Sequence, residues 1–135
     1  MKKIHTLAIF TAVSLLPFSN SFAAWKELGS NEQMVVYVDL DTISGSGEKA
    51  QIMSMLDLKK PGVNPKTKQS VSSIIGLNEY NCPAMSYRPI EFKEFAGNKG
   101  SGKVVSDNKT PDSEFEPVIS ESWTAGVFNV VCKLK

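Results

Sequence analysis

Residues Met34 to Leu58 read MVVYVDLDTISGSGEKAQIMSMLDL. Two apolar runs with a period of two flank Gly45-Ser46-Gly47. In the first, Val36, Val38 and Leu40 share a side, and Ile43 follows before the glycines. In the second, Ala50 to Leu58, the residues Ile52, Leu56 and Leu58 share a side with Ser54. Alternation of this kind, rich in Val, Ile and Tyr and interrupted by a Gly turn, specifies half-buried antiparallel strands.

The pattern continues in both directions. Trp25-Lys26-Glu27-Leu28 alternates and stops at Gly29. Lys59 to Lys66 reads as a polar loop holding Pro61 and Pro65. Ser70 to Cys82 is long for one strand, and Gly76 marks a candidate bulge in it. Tyr87 to Phe95 alternates, and Pro89 signals an edge position or a kink. Gly97-Asn98-Lys99-Gly100 reads as a hairpin turn into a strand at Ser101 to Ser106, and Asp107 to Pro111 as loop. The expectation is about six strands in consecutive order, a meander-like antiparallel sheet.

The carboxyl end admits two readings. Trp123, Val127, Val130, Val131 and Leu134 fall on one helical face, with Ser120 as a cap and Glu121 in the first turn. Gly126 and the Val-Phe-Asn-Val-Val composition favour a strand instead. A helix would lie across the apolar face of the sheet.

The amino end sets the compartment. Met1-Lys2-Lys3 is basic, Leu7 to Phe18 is almost wholly apolar, and Ser21-Phe22-Ala23 offers small residues where a signal peptidase reads them. Residues 1–23 are expected to be a cleavable signal peptide and 24–135 the mature domain, cut after Ala23 with Ala24 as the next candidate. The apolar run falls short of the roughly 20 residues a spanning helix needs. No cysteine follows the cut to carry a lipid, so neither a transmembrane segment nor a lipid anchor is expected.

Lys2 and Lys3 leave with the signal. The 15 Lys and Arg fall to thirteen against 14 Asp and Glu, which disfavours nucleic-acid binding by bulk charge. The only histidine, His5, leaves as well. The remaining chain amounts to about one domain. Its two cysteines, Cys82 and Cys132, form an even set in an oxidising compartment and are expected to pair. The competing reading, two thiols or a metal pair, lacks further ligands of the right type nearby.

The order and spacing of several elements carry a resemblance. The mature chain opens on Trp25, has Tyr37-Val38-Asp39 followed by Ile43 and a Gly turn, and runs a long strand into Tyr80-Asn81-Cys82. A basic-aromatic strand around Tyr87-Arg88, then Lys99-Gly100-Ser101-Gly102-Lys103-Val104-Val105, lead to Val130-Val131-Cys132. This resembles the surface-adhesin protein E family of Gram-negative bacteria over essentially the whole mature chain. Asn81 stands where family members tend to have Asp, and Phe115 near a usual Trp. The resemblance implies an α+β fold, a single mostly antiparallel sheet with a C-terminal helix packed on it. It also implies binding of host extracellular-matrix or plasma proteins, and no active-site motif.

Other spellings of chemistry are weak. Gly97 to Lys103 matches the start of a phosphate-binding loop, but Val104 stands where Ser or Thr must hold magnesium, so a hairpin turn is the reading. Asp39, Asp41 and Asp57 lack the remaining positions of a calcium loop, with Ile43 and Ser44 in the way. Nothing singles out a catalytic pair among Glu91, Glu94, Glu114, Glu116 and Glu121. Ser86 and Ser122 have no histidine base. Asn108-Lys109-Thr110 spells a glycosylation sequon but reads as loop in a bacterial export context. Trp25, Trp123, Tyr37, Tyr80 and Tyr87 read mainly as core or half-buried sheet residues.

No catalytic, cofactor-binding or metal site is expected. The expected function is that of an exported, non-enzymatic binding module, an adhesin for host matrix or plasma proteins. The reading from another class is a soluble periplasmic accessory or stress protein that binds another envelope component. Tyr87, Arg88, Phe92 and Lys93 are the candidate partner surface, because Pro89 suggests an edge and basic residues sit beside aromatics there.

Overall fold

A computed structural model describes residues 24–134 of the chain. The expected signal segment, with Ala23 at its end, lies outside the described residues, and Ala24 is the first of them.

The hairpin in Met34–Leu58 is the centre of the sheet. Strands β2 (Met34–Ser46) and β3 (Lys49–Val63) pair antiparallel, with Val36 opposite Leu56 and Val38 opposite Ser54. β1 (Trp25–Ser30) lies outside β2, and β4 (Ser70–Asn81), β5 (Ser86–Phe95) and β6 (Val104–Lys109) follow β3. The order is β1-β2-β3-β4-β5-β6, every pairing antiparallel, and the short β7 (Glu116–Pro117) also pairs with β5. Helix α1 (Trp123–Leu134) closes the chain, and the fold is α+β.

Period-two alternation divides the sheet into two faces. Val36, Val38, Ala50, Ile52 and Tyr80 point to one side, where Val127 and Val131 of α1 complete a buried core. Cys82, just beyond β4, is bonded to Cys132 in the last turns of α1, which pins the helix over that core. Met53, Met55, Ile75 and Leu77 alternate with these residues and belong to the opposite face, away from the helix.

Several boundaries differ from the sequence reading. β3 runs through Lys59, Lys60 and Pro61 to Val63, because a register shift between Asp57 and Gly62 accommodates the proline. β6 starts at Val104 and extends to Lys109, beyond the loop expected from Asp107. Pro89 does not mark an edge: β5 has β4 on one side and β6 with β7 on the other, and the irregularity is a bulge opposite Leu77/Asn78. The outer strands are β1 and β6.

The helix starts later than expected. Glu121 has φ of 67°, so it lies outside α1, and Ser120 is not the cap. Ser122 Oγ instead accepts from the backbone N–H of Ala125 and donates to the carbonyl of Ile119 at 2.6 Å. Thr124, Val127 and Val131 are buried, whereas Leu134, placed on the apolar face by its spacing, is 59% exposed. Ser122→Ala is expected to cost about 1 kcal/mol in urea unfolding, the value of a lost amino-terminal cap, with Ser120→Ala near neutral. Equal effects of the two would contradict this assignment.

Candidate functional site

The sheet face away from α1 is a trough between two covers. At one end the β5–β6 connection folds back over β3 and β4. Its turn of 3-10 helix at Asn98–Gly100 puts Lys99 at φ 55° and Gly100 at φ 74°. The left-handed backbone at position 100 favours glycine, while a Cβ there would meet only the movable end of Ile75, 2.8 Å from its Cδ1. Asp57 Oδ1 accepts from the Lys99 N–H at 2.8 Å and from Asn98 Nδ2 at 3.0 Å. Ser73, fully buried, donates to the Gly97 carbonyl at 2.7 Å and accepts from the Gly100 N–H at 2.8 Å. The phosphate-loop spelling is therefore a hairpin turn whose donors are engaged by Asp57 and Ser73.

At the other end residues 110–117 form a strap. Thr110 and Ser113 hydroxyls both donate to the Pro89 carbonyl, at 2.9 and 2.6 Å. Arg88 Nη1 donates to the carbonyls of Pro111 and Ser113, while the guanidinium pairs with Glu79 at 2.8 Å. The Phe115 ring lies 5.0 Å from the Arg88 guanidinium carbon and 5.6 Å from Lys49 Nζ. This cluster closes through a charged, hydrogen-bonded fork that suits arginine and not lysine.

Between the covers the trough has a volume of about 300 Å³, with Met53, Ile75 and Phe95 on its floor. Its charged rim comes from β5 and β6: Glu91 opposite Lys109, and Lys93 opposite Asp107. Lys109 Nζ lies 3.0 Å from Glu91 and 4.0 Å from Asp107. The hydrogen bond to Glu91, then the charges of Glu91 and Asp107, raise the lysine's pKa. Lys93 is exposed and forms no ion pair among the described residues, leaving one uncommitted cation on the rim.

The four residues read as a partner surface are divided between the two faces. Tyr87 and Phe92 lie on the helix side, Tyr87 stacked on Tyr80 and edge-on to Trp123. Arg88 and Lys93 lie on the trough side, Arg88 committed to the strap and Lys93 on the open rim. Burial, then the Glu116 carboxylate, raises the Tyr87 pKa. Burial also pushes the Tyr80 phenol far above its ordinary range, and its hydroxyl has no hydrogen-bond partner in the described structure. Of the other aromatics named from sequence, Tyr37 lies under Lys99 Nζ at 5.5 Å.

The carboxylates considered for calcium are engaged locally: Asp39 Oδ1 accepts from the Asp41 N–H, and Asp57 holds the turn. Among the described residues no three His, Cys, Asp or Glu side chains gather as a metal site. No described helix is long and apolar enough to cross a membrane. Sequence reasoning missed Glu91, Asp107 and Lys109 as neighbours of Lys93, because cross-strand register places them there.

A family model described as surface-adhesin protein E matches residues 25–133. Among solved structures, one of Haemophilus influenzae protein E superposes with a TM-score of 0.59 at 15% identity, covering 88% of this chain and 91% of that one. A second crystal form gives 0.61 at 17% identity, covering 90% and 97%. Protein E from non-typeable Haemophilus influenzae gives 0.57 at 16% identity, covering 90% and 83%. At these identities the structural likeness is one of fold. No curated protein matches the chain.

Proposed function

We propose, from the premise that the chain belongs to the surface-adhesin protein E family, that its mature domain is an exported, non-enzymatic adhesin. Its partners are host extracellular-matrix or plasma proteins. The observation that supports this reading most is the trough: an apolar floor with a charged rim, open to solvent and holding one uncommitted lysine. A mixed polar and apolar surface of that kind suits contact with a folded protein. The cut after Ala23 and display outside the cell are part of the same proposal.

Of the four residues read as a surface, Lys93 is the one available to a partner from the trough side. Lys93→Glu is expected to weaken binding to an immobilised matrix protein about tenfold. A rim charge acts through encounter rate and like-charge repulsion, so the loss should shrink as salt rises. The unfolding midpoint should fall by no more than a few degrees, because the new carboxylate faces Asp107 across the strands but both are exposed. The wild-type domain is tested on a panel of matrix and plasma proteins beside an unrelated exported domain, with surface protease accessibility measured in the native host. No saturable binding above that control, together with release of the protein by osmotic shock alone, would overturn the adhesin reading in favour of a periplasmic accessory role.

A further inference from the structure

The helix covers only part of its face of the sheet. Beyond its first turn the face sinks into a second depression, of about 180 Å³, on the opposite side from the trough. Small residues make its floor. Ser54 of β3 lies opposite Gly76 of β4, and Gly76 lies opposite Phe92 of β5, so one cross-strand row has almost no side chain at its centre. A Cβ on Gly76 would come 2.8 Å from Phe92 Cβ and 2.9 Å from the Glu91 carbonyl, so the close approach of β5 requires glycine here. The β5 bulge at Pro89–Glu91 lies beside this row and sets Tyr87 and Phe92 on the same side despite their odd spacing.

The walls and floor differ in chemistry. Tyr87, Phe92 and Trp123 are the aromatic walls, with Leu56 and Ile74 at the far end. Asn78 lines the same space, is 6% exposed, and donates through Nδ2 to Ser54 Oγ at 3.3 Å. Its Oδ1 accepts no hydrogen bond in the described structure, and Ser54, 3% exposed, donates none. Among the described residues the Tyr80 hydroxyl is the one buried side-chain polar atom left without a partner, so Asn78 Oδ1 keeps contact with solvent and is an acceptor that a guest can take over from water. Ser54 stands in a row of core-facing apolar residues, between Ile52 and Leu56, where a larger apolar side chain would fill the hollow.

We propose that this depression is a recognition pocket for a tyrosine side chain presented by a protein partner. It has no charged lining group, so its guest is neutral. Aromatic walls favour an aromatic ring at offset or edge-on contact, and Asn78 Oδ1, which takes no protein donor, offers an acceptor to a donor at the ring's tip. A phenol supplies both. The inference deepens the binding reading above by naming the chemistry one of the partner's anchoring residues must have.

The test uses the mature domain and p-cresol, which is the tyrosine side chain alone, with toluene and methylindole as comparators. Proton–nitrogen correlation NMR follows the Asn78 side-chain amide and the Trp123 indole. Saturable shifts of both with p-cresol, roughly five- to tenfold tighter than with toluene, are expected for one added hydrogen bond. Ser54→Val, which grows into the pocket, should abolish the shifts, with a thermal melt to show that the variant folds. It should also weaken binding to whichever matrix protein the wild type holds. No saturable p-cresol shift, or equal affinity for p-cresol and toluene, overturns the pocket whatever the domain binds elsewhere. Tighter binding of methylindole reassigns the guest to tryptophan and overturns the tyrosine. If a folded Ser54→Val loses p-cresol yet keeps full matrix binding, the partner's tyrosine is overturned and the adhesin reading stands.

Discussion

Replacing Cys132 by Ala is expected to lower the thermal midpoint of the domain by on the order of 10 °C, and replacing Cys82 should do the same. The bridge spans a sequence separation of 50 residues. Closing a loop of that length removes roughly 4 kcal/mol of unfolded-state freedom in the chain-entropy model, within the 2–5 measured for small secreted domains. The loss should not be uniform. α1 has 12 residues, too few to be stable alone in water. Its hold on the sheet rests on Val127 and Val131 in the core, the rings of Phe128 and Trp123 against Tyr80 and Tyr87, and the disulfide near its end. Without the bridge, amide exchange in Trp123–Leu134 should rise before that in β2, β3 and β4. The sheet centre should remain the slowest-exchanging part. A midpoint change below about 3 °C, or exchange that rises equally in helix and sheet, would show that packing alone fixes the helix.

Much of this arrangement is legible from residues and some of it is not, for a reason that particular strands make plain. Val36, Val38, Ile52 and their alternating neighbours state a face, and Gly45-Ser46-Gly47 states a reversal, so the central hairpin follows from local chemistry. The meander order follows because short connections join strands that pair. The helix is ambiguous on composition, since Val127, Val130 and Val131 suit either state, and burial against Tyr80 decides it. Register is what local patterns do not supply. One bulge in β5 is enough to bring Tyr87 and Phe92 to the same face, whereas counting alternate residues would separate them. Arg88 and Lys93 both read as basic residues beside aromatics. Only the return of residues 110–117 across β5 separates the clamped arginine from the open lysine. Ser54, Gly76 and Asn78 are visible as small or polar interruptions in apolar rows, yet the pocket they outline appears only when three strands are set side by side.

Arg88→Glu is accordingly expected to behave as a stability variant and not as a surface variant, costing about 3 kcal/mol. Arg88 is 25% exposed and its partner Glu79 is 13% exposed, so the pair is largely withdrawn from water. Removing one partner of such a pair leaves the other charge poorly solvated, and a glutamate at position 88 adds repulsion to that loss. The same change strips donors from the carbonyls of Pro111 and Ser113 and the cation from the Phe115 ring. Arg88→Lys keeps the charge but not the fork, so an intermediate loss is expected. Arg88→Met with Glu79→Gln removes both charges at once and should recover part of the single-variant deficit in a double-mutant cycle. Denaturant midpoints for these variants, the single changes Arg88→Met and Glu79→Gln, and the wild type decide between the two roles. If Arg88→Glu folds as stably as the wild type, the strap does not depend on this residue, and Arg88 returns to the partner surface beside Lys93. If it unfolds early, any loss of partner binding in that variant reports the collapse of the strap over one end of the trough. The salt-dependent effect at Lys93 then remains the direct measure of contact on that face.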